Sequence, residues 1–574
     1  MEGQAGFHFS PRPNRAAEIP WRQYSTQAFA AAAEAGRPIL LSISAVWCHW
    51  CHVMDETTYS DPSVLELIRQ RFLPIRVDRD QRPDVDHRYN LGGWPSTAFL
   101  TPEGEVLGGG TYINPGQMID VASRIADYYS AHKEEISRRL AERERESGSL
   151  TDAGEAGPGA PEENLVQGVV SSLKAGYDRE FGGFGREPKF PQAEALCLLA
   201  ERSILSGDLE LMSMAQHSLT AMASGGMYDQ VEDGFYRYST TRDFSVPHFE
   251  KMLEDHAGLI EALALSGQGE ILDGAVRYLD RVLLDPESGL YGGSQDADER
   301  YYLGDAQSRA AITPPAVDRR LYVSWNAALA VAFALADSRL CRPQLRAAAE
   351  RMVQELWSRA RDGNGTMRHS DGSGGQLEDQ VWMALALVRV GRDLEARELL
   401  SALQSGFGAG DPNWSALPDS ADPDPAGRLR IQLTPMAENS VLAIALYELG
   451  ELERARAILA RIARPDHMEG PPGALCARAL DRLAFEPGRI TTLNPVLAAA
   501  ALSIHPYLLH ERSADDSAVL CFGTTCLMPV REPEEVVDLL RARLKGARED
   551  GPQELTRGSH PIPWEGGVDT VPER

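Results

Sequence analysis

Apolar residues recur at helical spacing through most of the chain from position 164 onward, and Gly-rich turns interrupt them. Spacings of three and four residues place such side chains on one face of a helix, which can then pack against other helices. The predicted helices are 165–177, 193–206, 209–224, 254–266, 270–284, 324–338, 344–361, 376–390, 393–404, 438–449, 451–463 and 474–484. Helices in consecutive pairs with no comparable run of strands predict an all-α domain, and six pairs would close a ring.

The first part of the chain has a different pattern, in which short apolar runs alternate with helix-like segments. Residues 37–46 form an apolar run typical of a strand that is buried on both faces. Further strands are predicted at 73–78, 96–100 and 105–108, and helical segments separate the first three of these runs. This order predicts an α/β domain.

A change in composition separates the two regions. Residues 131–145 are strongly charged and helix-forming, whereas 146–163 are rich in Gly, Ser, Pro and acidic residues. Such a segment is typical of a linker. The predicted domains are an α/β domain at 19–135, a linker at 136–163, the helical ring at 164–500, a C-terminal extension at 501–557 and a flexible tail at 558–574.

The formal charge of −27 argues against a nucleic-acid or anionic-lipid partner, because binding phosphate requires a basic patch. No segment is long and apolar enough to cross a membrane, and residues 1–20 lack the apolar core of a secretory signal. Seven cysteines, mostly isolated, fit a reducing compartment, so a cytoplasmic location is predicted. On the same ground, Cys521 and Cys526 are expected to be reduced.

The segment Trp47-Cys48-His49-Trp50-Cys51-His52 follows the first predicted strand and precedes a predicted helix. A cysteine at a helix N-terminus faces unpaired backbone N–H groups and the positive end of the helix dipole, which stabilises thiolate over thiol. Cys48 is therefore the predicted nucleophile. Cys51, one turn further on, would resolve a mixed disulfide formed by Cys48.

Three other interpretations of this cysteine pair remain open. The pattern also matches Cys-x-x-Cys-His haem attachment, which the absence of an export signal disfavours. A zinc site needs four ligands, and no second ligand pair lies nearby, although His49 and His52 offer imidazoles. The two thiols could also be small core residues, but this kind of fold places at least the first of them at its surface. No metal or cofactor is expected.

Three motifs carry a family resemblance: Cys-His-Trp-Cys-His-Val-Met at 48–54, Val-Asp-Arg-Asp-Gln-Arg-Pro-Asp-Val-Asp at 77–86 and Gly-Gly-Trp-Pro at 92–95. They resemble the thioredoxin-like module of the spermatogenesis-associated thioredoxin-like proteins. The resemblance implies that Pro95 is a cis-proline facing the dithiol, where it would contact an extended partner. Trp47, Trp50 and Trp94 are predicted to contact the same partner. Ser42 stands where ordinary thioredoxins carry a buried Asp.

The loops of the helical region alternate glycine, aromatic and charged residues, a composition suited to a sugar-sized cleft. They resemble the (α/α)6 toroid of six-hairpin glycosidases and sugar epimerases. The resemblance implies that carboxylates across the toroid would serve as acid and base. The predicted ligand-binding residues are His248, Glu250, Asp255, Asp296 and Asp298. Polar groups at the base of a toroid also cap helices, which is the purely structural interpretation of these side chains.

The leading hypothesis is a thiol–disulfide oxidoreductase or redox-sensing protein that uses Cys48 and Cys51 on a protein client. In this hypothesis the toroid binds a carbohydrate-type small molecule or provides a docking surface. The alternatives are a carbohydrate-active toroid, either epimerase or hydrolase, with a regulatory thioredoxin-like module, or a binding scaffold without catalysis.

Overall fold

The structure is a computed structural model that describes residues 6–147, 162–371, 373–407, 417–419, 422 and 424–549. The tail predicted at 558–574 and most of the predicted linker lie outside these residues. The charged helix predicted at 131–145 is confirmed as part of one long helix, Pro115–Ser147.

The described residues form helices and short strands in the following order along the chain. The helices are α1 (Thr26–Ala35), α2 (His49–Glu56), α3 (Pro62–Arg71), α4 (Pro83–Tyr89), α5 (Pro115–Ser147), α6 (Glu162–Gly176), α7 (Ala193–Ser206), α8 (Leu209–Ser224), α9 (Leu253–Ser266), α10 (Gly269–Tyr278), α11 (Glu299–Tyr302), α12 (Ala306–Ala310), α13 (Val323–Leu340), α14 (Pro343–Arg359), α15 (Leu377–Arg389), α16 (Asp393–Gly406), α17 (Met436–Glu448), α18 (Leu452–Ile462), α19 (Ala474–Arg482), α20 (Pro495–Leu502) and α21 (Pro533–Glu549). The strands are β1 (Ile39–Ser44), β2 (Leu73–Asp78), β3 (Ser96–Leu100), β4 (Val106–Gly110), β5 (Tyr238–Ser239), β6 (Pro247–His248), β7 (Lys251–Met252), β8 (Ser294–Gln295), β9 (Val317–Asp318), β10 (Gly488–Thr491), β11 (Leu509–Glu511), β12 (Val519–Phe522) and β13 (Thr525–Cys526).

The N-terminal domain has a thioredoxin-like fold around a mixed sheet with strand order β2-β1-β3-β4. β1 pairs in parallel with β2 and antiparallel with β3, so it lies inside the sheet. All six residues of β1 are buried, as its continuous apolar run predicts. The central position of β1 fixes where its C-terminal end delivers the chain into α2.

The second domain is an (α/α)6 toroid, which confirms the predicted ring of helix pairs. The inner ring runs α7, α9, α13, α15, α17, α19 and back to α7, each helix packing on the next. α6, α8, α10, α14, α16 and α18 pack outside it. The inner helix α13 is buried over most of its length because Ala, Leu, Val and Phe surround its axis. Outer helices such as α18 have one apolar face and one charged face.

A small C-terminal sheet with strand order β11-β10-β12-β13 packs beside the toroid. Its strand β10 begins at Gly488, within the range predicted for the toroid. The expectation that Cys521 and Cys526 are reduced is wrong in this structure, where they form a disulfide. Pairing between β12 and β13 places the two residues directly opposite each other, which brings their sulfur atoms together.

The thioredoxin-like domain is docked on the toroid through paired polar groups. Arg88 donates to both carboxylate oxygens of Asp419 at 2.6 and 3.0 Å, and Arg320 donates to Asp78 at 2.6 Å. The Tyr24 hydroxyl donates to the Ala426 carbonyl at 2.8 Å. Because these contacts lie on several elements of each domain, they fix the orientation of the dithiol towards the toroid. Among the described residues, no helix is both long and apolar enough for a membrane crossing.

Candidate functional site: a dithiol buried between two domains

The cysteine pair lies at the start of α2, as the sequence predicts. Cys48 is the N-cap residue of this helix, and its Sγ accepts a hydrogen bond from the Cys51 backbone N–H at 3.2 Å. The two cysteines are joined in a disulfide. The N-cap position directs Sγ of Cys48 at the unpaired N–H groups of the first helical turn.

Both cysteines are buried, each with 3 % of its surface exposed. The expectation that the first cysteine lies at the surface is therefore wrong in this structure. The physical reason is the toroid, because Cys48 and Cys51 belong to the same apolar core as the toroid helices. Arg237 of the toroid also places its guanidinium 4.2 Å from the centre of the Trp47 ring. A cation over an indole face is an attractive contact that here holds the two domains together.

Trp47 begins a chain of hydrogen bonds that crosses the domain interface. Its indole N–H donates to Asp80 Oδ2 at 2.7 Å, and the Asp80 carbonyl lies 2.6 Å from His369 Nε2 in the toroid. Nδ1 of His369 lies 3.0 and 3.1 Å from the two oxygens of Asp379. Asp379 in turn accepts from the backbone N–H groups of Gln376 and Ser324, at the starts of α15 and α13. The residue preceding the nucleophile is thus connected to two inner helices.

His369 carries a positive charge at neutral pH in this arrangement. Burial alone would lower its pKa, but the charge and hydrogen bonds of Asp379 outweigh burial and raise the pKa to about 10. With both ring nitrogens protonated, Nε2 donates to the Asp80 carbonyl and Nδ1 donates to Asp379.

His369, Glu378 and Asp379 could also hold a metal ion, since one ligand atom of each lies within 4.8 Å of the others. A histidine that binds a metal ion must be neutral and must offer the metal a free nitrogen lone pair. Both nitrogens of His369 already face oxygen acceptors, one of them the backbone carbonyl of Asp80. The cluster therefore fits an ion pair better than a metal site.

The peptide bond between Trp94 and Pro95 is cis, which confirms this part of the prediction for Pro95. Contact of Pro95 with an extended partner stays a prediction. The Trp94 ring packs edge-on against Trp47 with centroids 5.7 Å apart. Arg79 and Arg237 lie 5.0 and 4.9 Å from the centre of the Trp94 ring. Trp47 and Trp94 thus form an aromatic pair held between two arginines.

Trp50 does not join this aromatic pair. Its side chain is 46 % exposed and packs against Tyr112 of the same domain, with ring centroids 5.2 Å apart. It therefore lies at the outer edge of the dithiol segment.

Asp296 of the toroid faces His52 of the dithiol helix, with Oδ2 3.5 Å from Nδ1. Burial raises the pKa of Asp296 to about 8, and the charges of Glu250 and Asp298 add to this effect. Burial lowers the pKa of His52 to about 4, helped by His8. At neutral pH both groups are predominantly uncharged, so their contact is not an ion pair.

The remaining predicted toroid residues lie in three different environments. His248 Nδ1 contacts Glu250 Oε2, and the His248 ring stacks on Tyr238 with centroids 4.9 Å apart. Asp298 instead caps α11 by accepting from the Tyr301 N–H at 3.1 Å, as the structural interpretation predicts. Burial raises the pKa of Asp255 to about 7, and the Asp255 Oδ2 atom is buried with no hydrogen-bond partner among the described residues.

Several carboxyl side chains of the toroid interact electrostatically with one another or with Arg79 of the thioredoxin-like domain; they are Glu254, Asp255, Glu378 and Glu438. Burial is the largest cause that raises the pKa of Asp255, Glu378 and Glu438, and Glu378 reaches about 8. The charge of Glu254 contributes to all three of these shifts. The Glu254 side chain is itself 52 % exposed and lies 3.9 Å from Arg79. Burial therefore keeps the Glu378 carboxyl group largely protonated at neutral pH, whereas Glu254 faces solvent.

Sequence reasoning did not assign Arg79, Asp80, Arg237 or His369 to the site. Arg79 and Asp80 lie in the 77–86 motif that carries the family resemblance, so the motif was the available signal. Nothing in the local pattern distinguishes Arg237 or His369 from other charged loop residues. Their roles follow from contacts across the domain interface.

A cavity of about 850 Å³ lies between the domains, on the side of His8, Val46 and Asp362. Its charged side chains are largely paired. Arg82, for example, forms two hydrogen bonds to Asp84 at 2.9 and 2.8 Å. Among the described residues that line this cavity, no unpartnered group indicates a ligand class.

A family model called Thioredox_DsbH, described as "Protein of unknown function, DUF255", matches residues 12–146. Spermatogenesis-associated protein 20 from Mus musculus is 33 % identical over 310 residues, which cover 49 % of this chain and 39 % of that protein. The Homo sapiens protein of the same name gives the same values. The resemblance to the spermatogenesis-associated thioredoxin-like proteins is thereby confirmed. The chain spans about two fifths of the length of these relatives.

Two further similarities concern named enzymes. Thiol:disulfide interchange protein DsbD 2 from Pseudomonas aeruginosa is 34 % identical over 79 residues, 13 % of this chain and 14 % of that protein. The structure of cellobiose 2-epimerase from Spirochaeta thermophila aligns with a TM-score of 0.43 and 14 % identity, covering 56 % of this chain and 96 % of that one. The activities in these names belong to those proteins.

Proposed function

We propose that this protein is a thiol–disulfide oxidoreductase in which Cys48 is the nucleophile and Cys51 the resolving thiol. The observation that carries the proposal is the N-cap position of Cys48, whose Sγ receives the Cys51 N–H and is bonded to Cys51 Sγ. In the reduced protein, the same N–H and the helix dipole would stabilise a thiolate on Cys48.

The exchange reaction conserves atoms and electrons. The Cys48 thiolate attacks one sulfur of a client disulfide, forms a mixed disulfide and releases the first client thiolate. The Cys51 thiolate then attacks Sγ of Cys48, closes the Cys48–Cys51 disulfide and releases the second client thiolate. The client is reduced by two electrons and the protein dithiol is oxidised by two.

Similarity to proteins named for thiol:disulfide interchange supports this proposal over haem or zinc binding. The buried position of the dithiol also supports a specific reaction over a general one, because few molecules reach a buried sulfur.

The proposal predicts a reversible two-electron redox couple at the dithiol. The Cys521→Ser/Cys526→Ser double variant, which removes the other disulfide, should be equilibrated in buffers of reduced and oxidised dithiothreitol. Thiol counting should show two additional thiols per chain on reduction, with a tenfold change in equilibrium constant per about 30 mV. A dithiol that cannot be re-oxidised to the Cys48–Cys51 disulfide would contradict the proposal.

A second candidate function is acid–base chemistry on a carbohydrate at the mouth of the toroid. One observation favours it: the pKa of Asp296 is raised to about 8 by burial, with Glu250 among the charged groups that contribute. A carboxyl group whose pKa is raised to near neutral pH can act as a general acid. The substrate names of the similar structures provide no further support.

This second candidate predicts ligand-dependent thermal stabilisation. A ligand at 100 times its Kd should stabilise the protein by about 2.7 kcal/mol, which a thermal-shift screen against mono- and oligosaccharides would detect. Asp296→Asn and Glu250→Gln should reduce the shift, whereas Glu270→Gln on the exposed start of α10 should not. A screen without any stabilising sugar would count against a carbohydrate site.

A further inference from the structure

The C-terminal sheet carries a second disulfide in a setting unlike that of the first. Cys521 lies on β12 and Cys526 on β13, and the two residues are directly opposite each other across the strand pair. Cys526 is exposed and Cys521 is half-buried, whereas both cysteines of the dithiol helix are buried. Exposed disulfides are the ones that exchange readily, because a thiolate must reach a sulfur atom to break the S–S bond.

Backbone pairing places Cys526 at the open edge of this sheet. Among the described residues, β13 is the last strand in the order β11-β10-β12-β13. The Leu527 N–H donates to the Leu520 carbonyl at 2.8 Å, so these two residues form a hydrogen-bonded pair of the antiparallel ladder. Such pairs alternate with non-hydrogen-bonded ones, and the neighbouring pair of Cys521 and Cys526 is of the second kind. The backbone N–H and C=O of Cys526 therefore point away from β12, towards the open edge.

The open edge suits a protein partner. An extended segment of another protein can add to an exposed strand edge through backbone hydrogen bonds. Residues 523–526 are all exposed, and the segment 523–528 contains no charged side chain that would repel such a partner. A partner segment that pairs with Cys526 in this way holds its own side chains beside the disulfide.

The two sulfur atoms differ as targets for attack. Cys526 lies on the edge strand, whereas Cys521 lies between β13 and β10, where it is paired with Arg489. A thiolate that approaches from the edge therefore reaches Sγ of Cys526 first. Sγ of Cys521 then becomes the leaving group.

The strand pair does not depend on the disulfide for its structure. The backbones of Ala518 and Val530 exchange two hydrogen bonds, at 2.8 and 3.0 Å, beyond the bond between Leu527 and Leu520. On the opposite face of β12, Leu520 and Phe522 are buried in the apolar core. The disulfide joins residues only five positions apart, and short loops gain the least stability from a cross-link. The pair can therefore change its redox state while the sheet stays folded.

We propose that Cys521–Cys526 is a second redox-active disulfide, which accepts two electrons from a protein dithiol that docks at the edge of β13. One donor thiolate attacks Sγ of Cys526, forms a mixed disulfide and releases the Cys521 thiolate, which takes up a proton. The second donor thiolate attacks the donor sulfur of the mixed disulfide, closes the donor's own disulfide and releases the Cys526 thiolate. The donor loses two electrons, and this chain gains two thiols at the sheet edge. The site is separate from the one proposed at Cys48 and Cys51.

Matched variants compare the two disulfides of the chain. Cys48→Ser/Cys51→Ser keeps the disulfide at the sheet edge, and Cys521→Ser/Cys526→Ser keeps the buried one. Each oxidised full-length protein should be mixed with a reduced bacterial thioredoxin, quenched with a maleimide and analysed by mass spectrometry. The disulfide at the edge should be reduced at least about tenfold faster than the buried one. Peptide mapping of the maleimide labels in the unsubstituted protein should give the same order without any substitution.

Two further measurements test the class of the donor and the sulfur that it attacks. Dithiothreitol at the same concentration should reduce Cys521–Cys526 at least about tenfold more slowly than thioredoxin, because it cannot pair with the strand edge. A thioredoxin variant that retains only its nucleophilic cysteine should become attached to Cys526 and leave Cys521 open to the maleimide.

Each part of the proposal has a result that overturns it. If thioredoxin reduced the buried disulfide as fast as the exposed one, the sheet edge would not be the exchange site. Equal rates with dithiothreitol and thioredoxin would exclude recognition of a protein dithiol by the strand edge. Attachment of the single-cysteine thioredoxin to Cys521 would reverse the assignment of the attacked sulfur.

Discussion

Cys48→Ser is expected to abolish disulfide exchange, with a loss of at least about 10³-fold in rate. Serine keeps the size and the N-cap hydrogen bond of residue 48 but cannot form a disulfide, so the fold should be preserved. Cys51→Ser should behave differently, because Cys48 can still attack a client disulfide while no second thiol resolves the product. Mass spectrometry of Cys51→Ser treated with cystamine should therefore show one covalently attached cysteamine.

A matched control exists in Cys341, which is a free cysteine on the toroid. Cys341→Ser should leave the rate unchanged, since this thiol lies outside the dithiol segment. The assignment of roles would be reversed if Cys48→Ser formed the stable adduct and Cys51→Ser did not. Equal exchange rates for Cys48→Ser and the unsubstituted protein would refute the dithiol mechanism.

His369→Ala is expected to lower the free energy of unfolding by about 3–5 kcal/mol. The substitution removes the buried cation that pairs with Asp379 at 3.0 Å and donates to the Asp80 carbonyl at 2.6 Å. Asp379 would then be a buried carboxylate without its counter-charge. Urea denaturation monitored by tryptophan fluorescence would measure the loss, and His467→Ala on the surface should change stability by less than about 0.5 kcal/mol.

The same contact predicts a pH dependence. The pKa of His369 is raised from 6.5 to about 10 in the folded protein, chiefly because Asp379 outweighs the effect of burial. A raised cationic pKa contributes stability that is fully present below pH 6.5 and is lost as the pH rises through about 10. His369→Asn should therefore lose less stability between pH 6.5 and 10 than the unsubstituted protein. Identical slopes in the two proteins would contradict the charged state of His369.

Loss of the His369 contact should also uncover the dithiol. The contact links Asp80, which holds Trp47, to the toroid helices, so its removal should favour domain separation. Reduced His369→Ala, in a background with Cys341, Cys521 and Cys526 replaced by Ser, should react at least about tenfold faster with a 5 kDa maleimide polymer. An unchanged labelling rate would indicate that other contacts suffice to keep the domains docked.

The two chemistries that the sequence suggests for separate domains meet at one interface. His52 of the dithiol helix faces Asp296 of the toroid, and Arg237 of the toroid covers Trp47. The helix that carries the dithiol therefore contacts Asp296, one of the groups considered for carbohydrate chemistry. Oxidoreductase and toroid functions are consequently best tested in the full chain.

Local patterns in the sequence determine much of this protein. The periods of apolar residues predict the twelve toroid helices, including 193–206 and 209–224 with the bounds that the structure shows. The strand before Cys48 and the helix after it follow from a continuous apolar run and from residues that suit a first helical turn. These features depend on interactions among residues close in sequence, which periodicity and capping rules describe.

Contacts between residues far apart in the chain were decided only by the tertiary structure. His369 meets Asp80 across 289 positions, and no local pattern specifies that pairing. The sequence predicts Cys48 at the surface of a thioredoxin-like domain, but in the structure it belongs to the apolar core shared with the toroid. The sequence by itself therefore determined the nucleophile's position on its helix. Docking of the two domains decided the solvent exposure of Cys48, the residues around it and the pKa values of the nearby carboxyl groups. These properties depend on burial and charge, and therefore on which surfaces are brought together.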